Sequence, residues 1–247
     1  MHFLVQKVDG RVVHDFSFAL LQAKEWYDWS GKEKLFVRFS DGNFDGIRIP
    51  GLYVPVGDIA FVSSFLSRFY PDRKEALRPL NVPESLFPFA GRRIANVWCK
   101  EDYAPMEGVK NIYAKSMDIL KDPFNGPFYN IPANYERKDF RRCQVSEIID
   151  IVSEWRAIVH HGTVLYVGNY SGDPLVFPDA GRIRCMAAAY TVAPMAYTLD
   201  VAVTSAGETV VVECHRLFSC GLYGFNDLAR YPKMLSQAWK EMIRPIV

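Results

Sequence analysis

The stretch 197–224, YTLDVAVTSAGETVVVECHRLFSCGLYG, decides how this chain folds and where its chemistry sits. β-Branched and apolar residues run through Leu199–Val203 and again through Thr209–Glu213, with Ser205-Ala206-Gly207 between them. That pattern predicts two strands joined by a turn, followed by a glycine-containing loop. Such a turn lays the second strand back along the first, so Asp200 and Glu213 come side by side. Residues two apart on a strand share a face, so His215 looks the same way as Glu213 while Cys214 looks away. Two carboxylates and an imidazole on one sheet end make a site for a divalent cation, with Asp200, Glu213 and His215 as its ligands. A solvated acidic cluster at a strand end is the alternative reading of the same residues.

Outward from this hairpin the chain has the composition of a folded domain. Its 247 residues are 49% hydrophobic, enough for one large core or two modest ones. Lys plus Arg (29) against Asp plus Glu (28) leaves a formal charge of +1, so there is no global electrostatic case for nucleic acid or a membrane surface. The five cysteines, at 99, 143, 185, 214 and 220, are odd in number and lack C-x-x-C spacing, which argues against a disulfide framework or a zinc knuckle and suits a reducing cytoplasm. No basic segment precedes an apolar core at the N-terminus, and no charge-free stretch reaches membrane-spanning length.

The first 90 residues read as α/β. Strands are expected at FLVQ and RVVHDF around Asp9-Gly10, then a helix from Phe16 to Trp29, a strand at Lys34–Phe39, a strand ending at Val56 and a helix from Asp58 to Phe69. Pro79 to Phe89 reads as a linker, and a domain boundary is expected near Gly91, dividing 1–90 from 91–247.

Beyond the boundary, RRIANVWC and NIYAKS are expected strands, the second ending near Lys115, which is either a solvated edge charge or a phosphate contact. Lys121 lies in the loop LKDPFNGPFYN, of the kind that closes over a ligand or simply turns at the surface. The runs around Glu147 and Glu154 read as strands, the second forming a hairpin with VLYVG through His160-His161-Gly162. Glu154 and Arg156, two apart, share a face. The carboxylate there can accept sugar hydroxyls and the guanidinium can hold phosphate oxygens, unless the two merely pair with each other.

In this order, Lys115, SEIIDIVSEWR (146–156), Asp200 and Glu213-x-His215 before a glycine-containing loop, the chain resembles the ATP-grasp superfamily. It is especially similar to the small ATP-grasp proteins of phages and bacteria, whose N-terminal part carries a stretch like YVPVGDIAFV; the resemblance runs from about Tyr53 onward. It implies an α+β ATP-grasp fold with a smaller N-terminal α/β lobe. It implies ATP held by Lys115, by the backbone of Glu147, Ile148 and Ile149 at the adenine, and by Glu154 and Arg156. It implies Mg2+, or Mn2+, at Asp200, Glu213 and His215, and catalysis by Arg156, Lys121 and His215. The activity implied is carboxylate–amine ligation through an acylphosphate, with small-molecule or peptide carboxylates and amines as partners. Two departures stand out: His215 replaces the asparagine of the family's Glu-x-Asn, and Thr198 stands where many members have arginine. A metal-dependent phosphotransferase or nuclease and an inactive nucleotide-binding protein remain the other classes. A cysteine hydrolase is disfavoured, because Cys214 and His215 point to opposite faces.

Overall fold

The chain opens with strand β1 (His2–Gln6), helix α1 (Asp15–Ser30), strands β2 (Phe36–Ser40) and β3 (Tyr53–Val56), and helix α2 (Ile59–Phe69). The three strands form a parallel sheet in the order β2-β1-β3. In this computed structural model the described residues are 1–31, 33–98, 101–130 and 142–244; Cys99 lies outside them. Asp58 caps α2 by accepting a hydrogen bond from the Phe61 amide at 2.7 Å, and Gln6 at the end of β1 braces the same turn by donating to Asp58 Oδ2 at 3.0 Å. Expectation and structure part at RVVHDF, which is not a strand. Asp9 and Gly10 both take positive φ, so the chain turns after Val8, and only a single bridge to Arg11 forms. Both edges of β1 are already taken by β2 and β3, leaving no partner for a further strand.

Two four-stranded antiparallel sheets follow. The first holds β4 (Ile94–Val97), β5 (Ile112–Ser116), β6 (Gly126–Phe128) and β7 (Cys143–Glu147) in the order β4-β7-β5-β6. The second holds β8 (Ile151–His160), β9 (Thr163–Gly172), β10 (Ala196–Thr204) and β11 (Thr209–Arg216) in the order β11-β10-β8-β9. The expected hairpin is β10–β11, longer at both ends than its apolar alternation suggested, and the β8–β9 turn does contain His161 and Gly162 at positive φ. One face of the second antiparallel sheet, with Trp155, Ala157, Tyr197, Leu199, Val201 and Cys214, is covered by helix α3 (Ala180–Ala189). The opposite face is left for the site.

The segment 79–89 is held between the two antiparallel sheets. The Asn81 carbonyl accepts from the Cys214 amide of β11 at 2.6 Å, its side chain donates to the Ser116 carbonyl of β5 at 3.0 Å, and Gln144 of β7 makes a reciprocal pair with the Val82 backbone at 2.8 and 2.9 Å. The final helix α4 (Tyr231–Ile243) returns to the N-terminal parallel sheet, where fully buried Trp239 meets Phe65, Tyr70 and Phe218 edge-on.

Candidate functional site

Register builds the site. Asp200 on β10 stands opposite Glu213 on one side and Arg156 of β8 on the other, and Thr198 stands opposite His215. The alternation that sends Leu199 and Cys214 into the core under α3 therefore sends Asp200, Glu213, His215 and Arg156 to the open face. A bulge between Asp200 and Val201 lets Val212 slip past without a partner, which keeps Glu213 level with Asp200.

The site's charges are tightly interlinked. Arg156 grips Asp200 with both arms, Nε to Oδ1 at 2.8 Å and Nη2 to Oδ2 at 2.7 Å, and donates a third bond to the Gly221 carbonyl at 3.2 Å. Both partners are buried, Asp200 at 1% exposure and Arg156 at 8%. Burial alone would weaken the guanidinium's hold on its proton, but the hydrogen bonds and charge of Asp200 outweigh it and hold Arg156 above the ordinary arginine value. Its guanidinium also lies 5.7 Å from the Tyr170 ring and 5.2 Å from that of Tyr223. Tyr170 in turn donates to Glu154 Oε2 at 2.9 Å, so Glu154 and Arg156 do face one side as their spacing predicts. Burial, then the charges of Asp200 and Glu154, push the Tyr170 phenol up and keep it a donor.

Glu213 is the crossing point between the two antiparallel sheets. Lys115 of β5 forms a salt bridge with it from the first of them, and His215 Nε2 lies 2.9 Å from its other oxygen. Burial would raise its carboxyl, yet the hydrogen bond to His215 and the charges of Lys115 and His215 more than offset this, and it stays well below the usual carboxylate range. Asp200, Glu213 and His215 each offer a ligand atom, all within 4.8 Å of one another. An ionised carboxylate has about four lone-pair sites, so the bonds from Arg156 and Lys115 leave both acids able to take a cation. Two oxygens and an imidazole fit a divalent ion, the oxygens suiting Mg2+ and the nitrogen suiting softer metals.

Of the remaining sequence candidates, Lys121 sits in a turn at positive φ and lines a cleft of about 320 Å3 together with Arg156, His215 and Tyr223. Glu147 closes β7 and is clamped by Arg93, whose Nε and Nη2 reach its Oε1 at 3.0 and 2.9 Å. That pairing holds the carboxyl below its ordinary range despite burial. Ile148 and Ile149 follow in the connection that crosses from the first antiparallel sheet to the second. The loop after β11 is tied down from three sides. Ser219 Oγ donates to the Gly57 carbonyl at 2.7 Å, the Leu222 amide to Asp15 Oδ2 at 2.7 Å, and the Tyr166 hydroxyl to the Tyr223 carbonyl at 2.9 Å. Gly224 has φ 95° there, and a Cβ on it would come within 2.7 Å of that hydroxyl. Burial pushes the thiol of Cys220 up to about 12 and that of Cys214 well above its usual value, so neither is a nucleophile at neutral pH.

Sequence reasoning missed Tyr170, Tyr223 and the role of the Asn81–Val82 segment. The tyrosines carried a faint signal in their placement, one beside the Glu154 strand and one in the glycine loop; Asn81 carried none.

Two antiparallel sheets facing each other, with a lysine of one meeting the acidic cluster of the other, define the ATP-grasp class. Within it the chain belongs to an ATP-grasp domain family, the second family of its clade, whose model matches residues 89–233. No curated protein matches it. Among solved structures it is similar in fold to the D-cycloserine synthetase DcsG (TM-score 0.59, 12% identity, covering 99% of this chain and 100% of that one). It is also similar to the ATP-grasp ligase PsnB complexed with minimal precursor, Mg and ADP (TM-score 0.51, 10% identity, 96% and 97% covered). A third is the macrocyclase MdnC bound with precursor peptide MdnA from Microcystis aeruginosa MRC (TM-score 0.51, 12% identity, 98% and 99% covered). No helix among the described residues is long and apolar enough to cross a membrane.

Proposed function

We propose that this chain is an ATP-dependent carboxylate–amine ligase working through an acylphosphate. The observation that carries the reading is the meeting of Lys115 and Glu213 above the Asp200–Glu213–His215 cluster. A phosphate-neutralising amine and a set of divalent-ion donors stand on opposite walls of one cleft. In this reaction class a carboxylate oxygen bonds to the γ-phosphorus as the bond to ADP breaks. An amine then bonds to the activated carbonyl carbon, phosphate leaves, and the amine proton passes to solvent.

Each residue's part follows from its surroundings. The backbone of Glu147, Ile148 and Ile149 meets the adenine edge, since the Glu147 side chain is occupied by Arg93. Glu154, one oxygen held by Tyr170, accepts the sugar hydroxyls with its other lone pairs. Arg156 uses three of its five N–H groups on Asp200 and Gly221, which leaves two for transferring phosphoryl oxygens. Lys121 and His215 flank the reacting acid. Asp200, Glu213 and His215 hold Mg2+, or Mn2+ by virtue of the imidazole; when bound, that ion neutralises phosphate charge. Residues 1–90 supply one wall of the acid's cleft and 91–247 the nucleotide lobe, which the presence of Ile59 and Leu77 beside Arg156 in that cleft supports. The partners are small or peptide acids and amines. The four described cysteines are all free, in keeping with a cytoplasmic setting.

The test is ADP release from ATP and Mg2+ with and without added amino acids and peptides. Acceptor-dependent release is expected, and Lys115→Ala should raise the KM for ATP about tenfold or more, because a charge-assisted phosphate contact contributes roughly 1.5–3 kcal/mol. Nucleic-acid cleavage without ATP, or tight ATP binding with no acceptor-dependent release, would overturn the ligase reading. In the same assay His215→Asn is expected to lower activity with Mn2+ more than with Mg2+; equal losses would remove the imidazole from the metal site.

A further inference from the structure

The cleft of about 320 Å3 beside Arg156 has a charge pattern that the ligase reading does not require. Among the described residues that line it, five are basic: Arg78, Lys121, Arg156, His215 and Arg216; none is acidic. Three of these are already matched. Arg156 is held by Asp200, His215 by Glu213, and Arg78 by Glu75, with Asp118 at 3.9 Å. Lys121 and Arg216 make no salt bridge with any described residue. The Arg216 Nε is also buried without a hydrogen-bond partner. Burial, only partly offset by the charges of Glu241 and Tyr190, holds the Arg216 pKa below its ordinary value. Leaving a buried donor unmatched costs about 1–3 kcal/mol, and an anion from solution would remove that cost. The cleft's size is at the small end for ligand pockets, which run roughly 300–1,000 Å3, and its remaining lining is largely apolar.

Resting on the ligase reading, we propose that the acid activated here is a small dianion. One carboxylate reacts at the Arg156–His215 end, and a second anionic group, carboxylate or phosphate, is held by Arg216 and Lys121 across an apolar spacer. A neutral group in that position would leave the two cations unmatched, and sites built to bind a polar group reject analogues that lack it.

The test measures ADP release by the full chain with ATP and Mg2+ at fixed ionic strength, using glutamate, succinate, phosphoserine and glutamine as acids and a mixed amine pool. Thermal shift is recorded with the same acids in the absence of ATP. A KM at least tenfold lower for the dianions than for glutamine is expected, and Arg216→Gln should lose that preference at least tenfold. Should Arg216→Gln fail to fold, Lys121→Gln at the exposed turn should erode the same preference. Glutamate and succinate outperforming phosphoserine would identify the second group as carboxylate, the reverse as phosphate; either supports the proposal. ADP release driven equally by glutamine overturns it while leaving the ligase reading intact. Thermal stabilisation by the dianions without any acid-dependent ADP release sinks the ligase reading and with it the assignment of the anion as substrate. Neither stabilisation nor release with any of the four acids also overturns the proposal.

Discussion

Asp200→Asn is expected to destabilise the fold by about 3–5 kcal/mol and to lower ATP turnover at least about 100-fold. The stability loss comes from Arg156 rather than from the aspartate itself. Asp200 receives two charge-assisted hydrogen bonds from a guanidinium that is 8% exposed, on a sheet face closed by Tyr170 and Tyr223. An asparagine has one acceptor oxygen and an NH2 group that would face a guanidinium N–H, so the substitution leaves a buried cation uncompensated. Replacing both partners by apolar residues, Arg156→Met with Asp200→Leu, should restore most of the stability, because no orphaned charge remains. Activity should stay lost, since a divalent-ion ligand and a phosphoryl contact are both gone. Urea unfolding and ADP release on the two variants check this. If Asp200→Asn unfolds at the wild-type urea concentration, the buried pair is not the fold's charge anchor.

Why the hairpin was legible and this pair was not comes down to range. Asp200 and Glu213 are joined by a short turn, and the period of two in a strand sets which residues face which way, so their juxtaposition follows from local pattern alone. Arg156 was read as sharing a face with Glu154, and it does. Its partner, however, depends on the register of β8 against β10, 44 residues away, with the β9 hairpin and helix α3 between. Nothing local specifies that register; it is set by burying Trp155, Ala157 and Val159 under α3. The Lys115–Glu213 bridge is further out of reach, spanning 98 residues and two separate sheets. Asn81 and Val82 were read as part of a linker because Pro and Gly punctuation says only that a regular element is absent. Their backbone groups are instead satisfied by β11 and by Gln144, a tertiary outcome. The opposite error, a strand at RVVHDF, arose because apolar residues there match a strand pattern while the sheet beside them had no free edge.

Glu213→Gln should remove activity as fully as Asp200→Asn, and it carries a pH signature of its own. The folded Glu213 carboxyl is depressed: burial opposes ionisation, but the hydrogen bond to His215 and the charges of Lys115 and His215 overcome it. In the unfolded chain the same group titrates near its ordinary value of about 4.3. Between those two values the unfolded state binds a proton that the folded state does not, so stability rises with pH across that window. The stabilisation from Glu213 is thus complete above the ordinary carboxylate range and is lost as pH falls through it toward the folded value. Glutamine does not titrate. The difference in unfolding free energy between wild type and Glu213→Gln should therefore be largest at pH 6 to 7 and should narrow steadily from about pH 5 to pH 3. Urea unfolding of both proteins at pH 7, 6, 5, 4 and 3 measures it, and taking the difference cancels the other carboxylates. Lys115→Met should show the same narrowing in weaker form, because it removes one of the two partners that depress Glu213 and leaves His215 in place. A difference between wild type and Glu213→Gln that stays flat down to pH 3 would mean that Glu213 is not held ionised by the lysine of the facing sheet, and the link between the two sheets at this point would be lost as an account of the site.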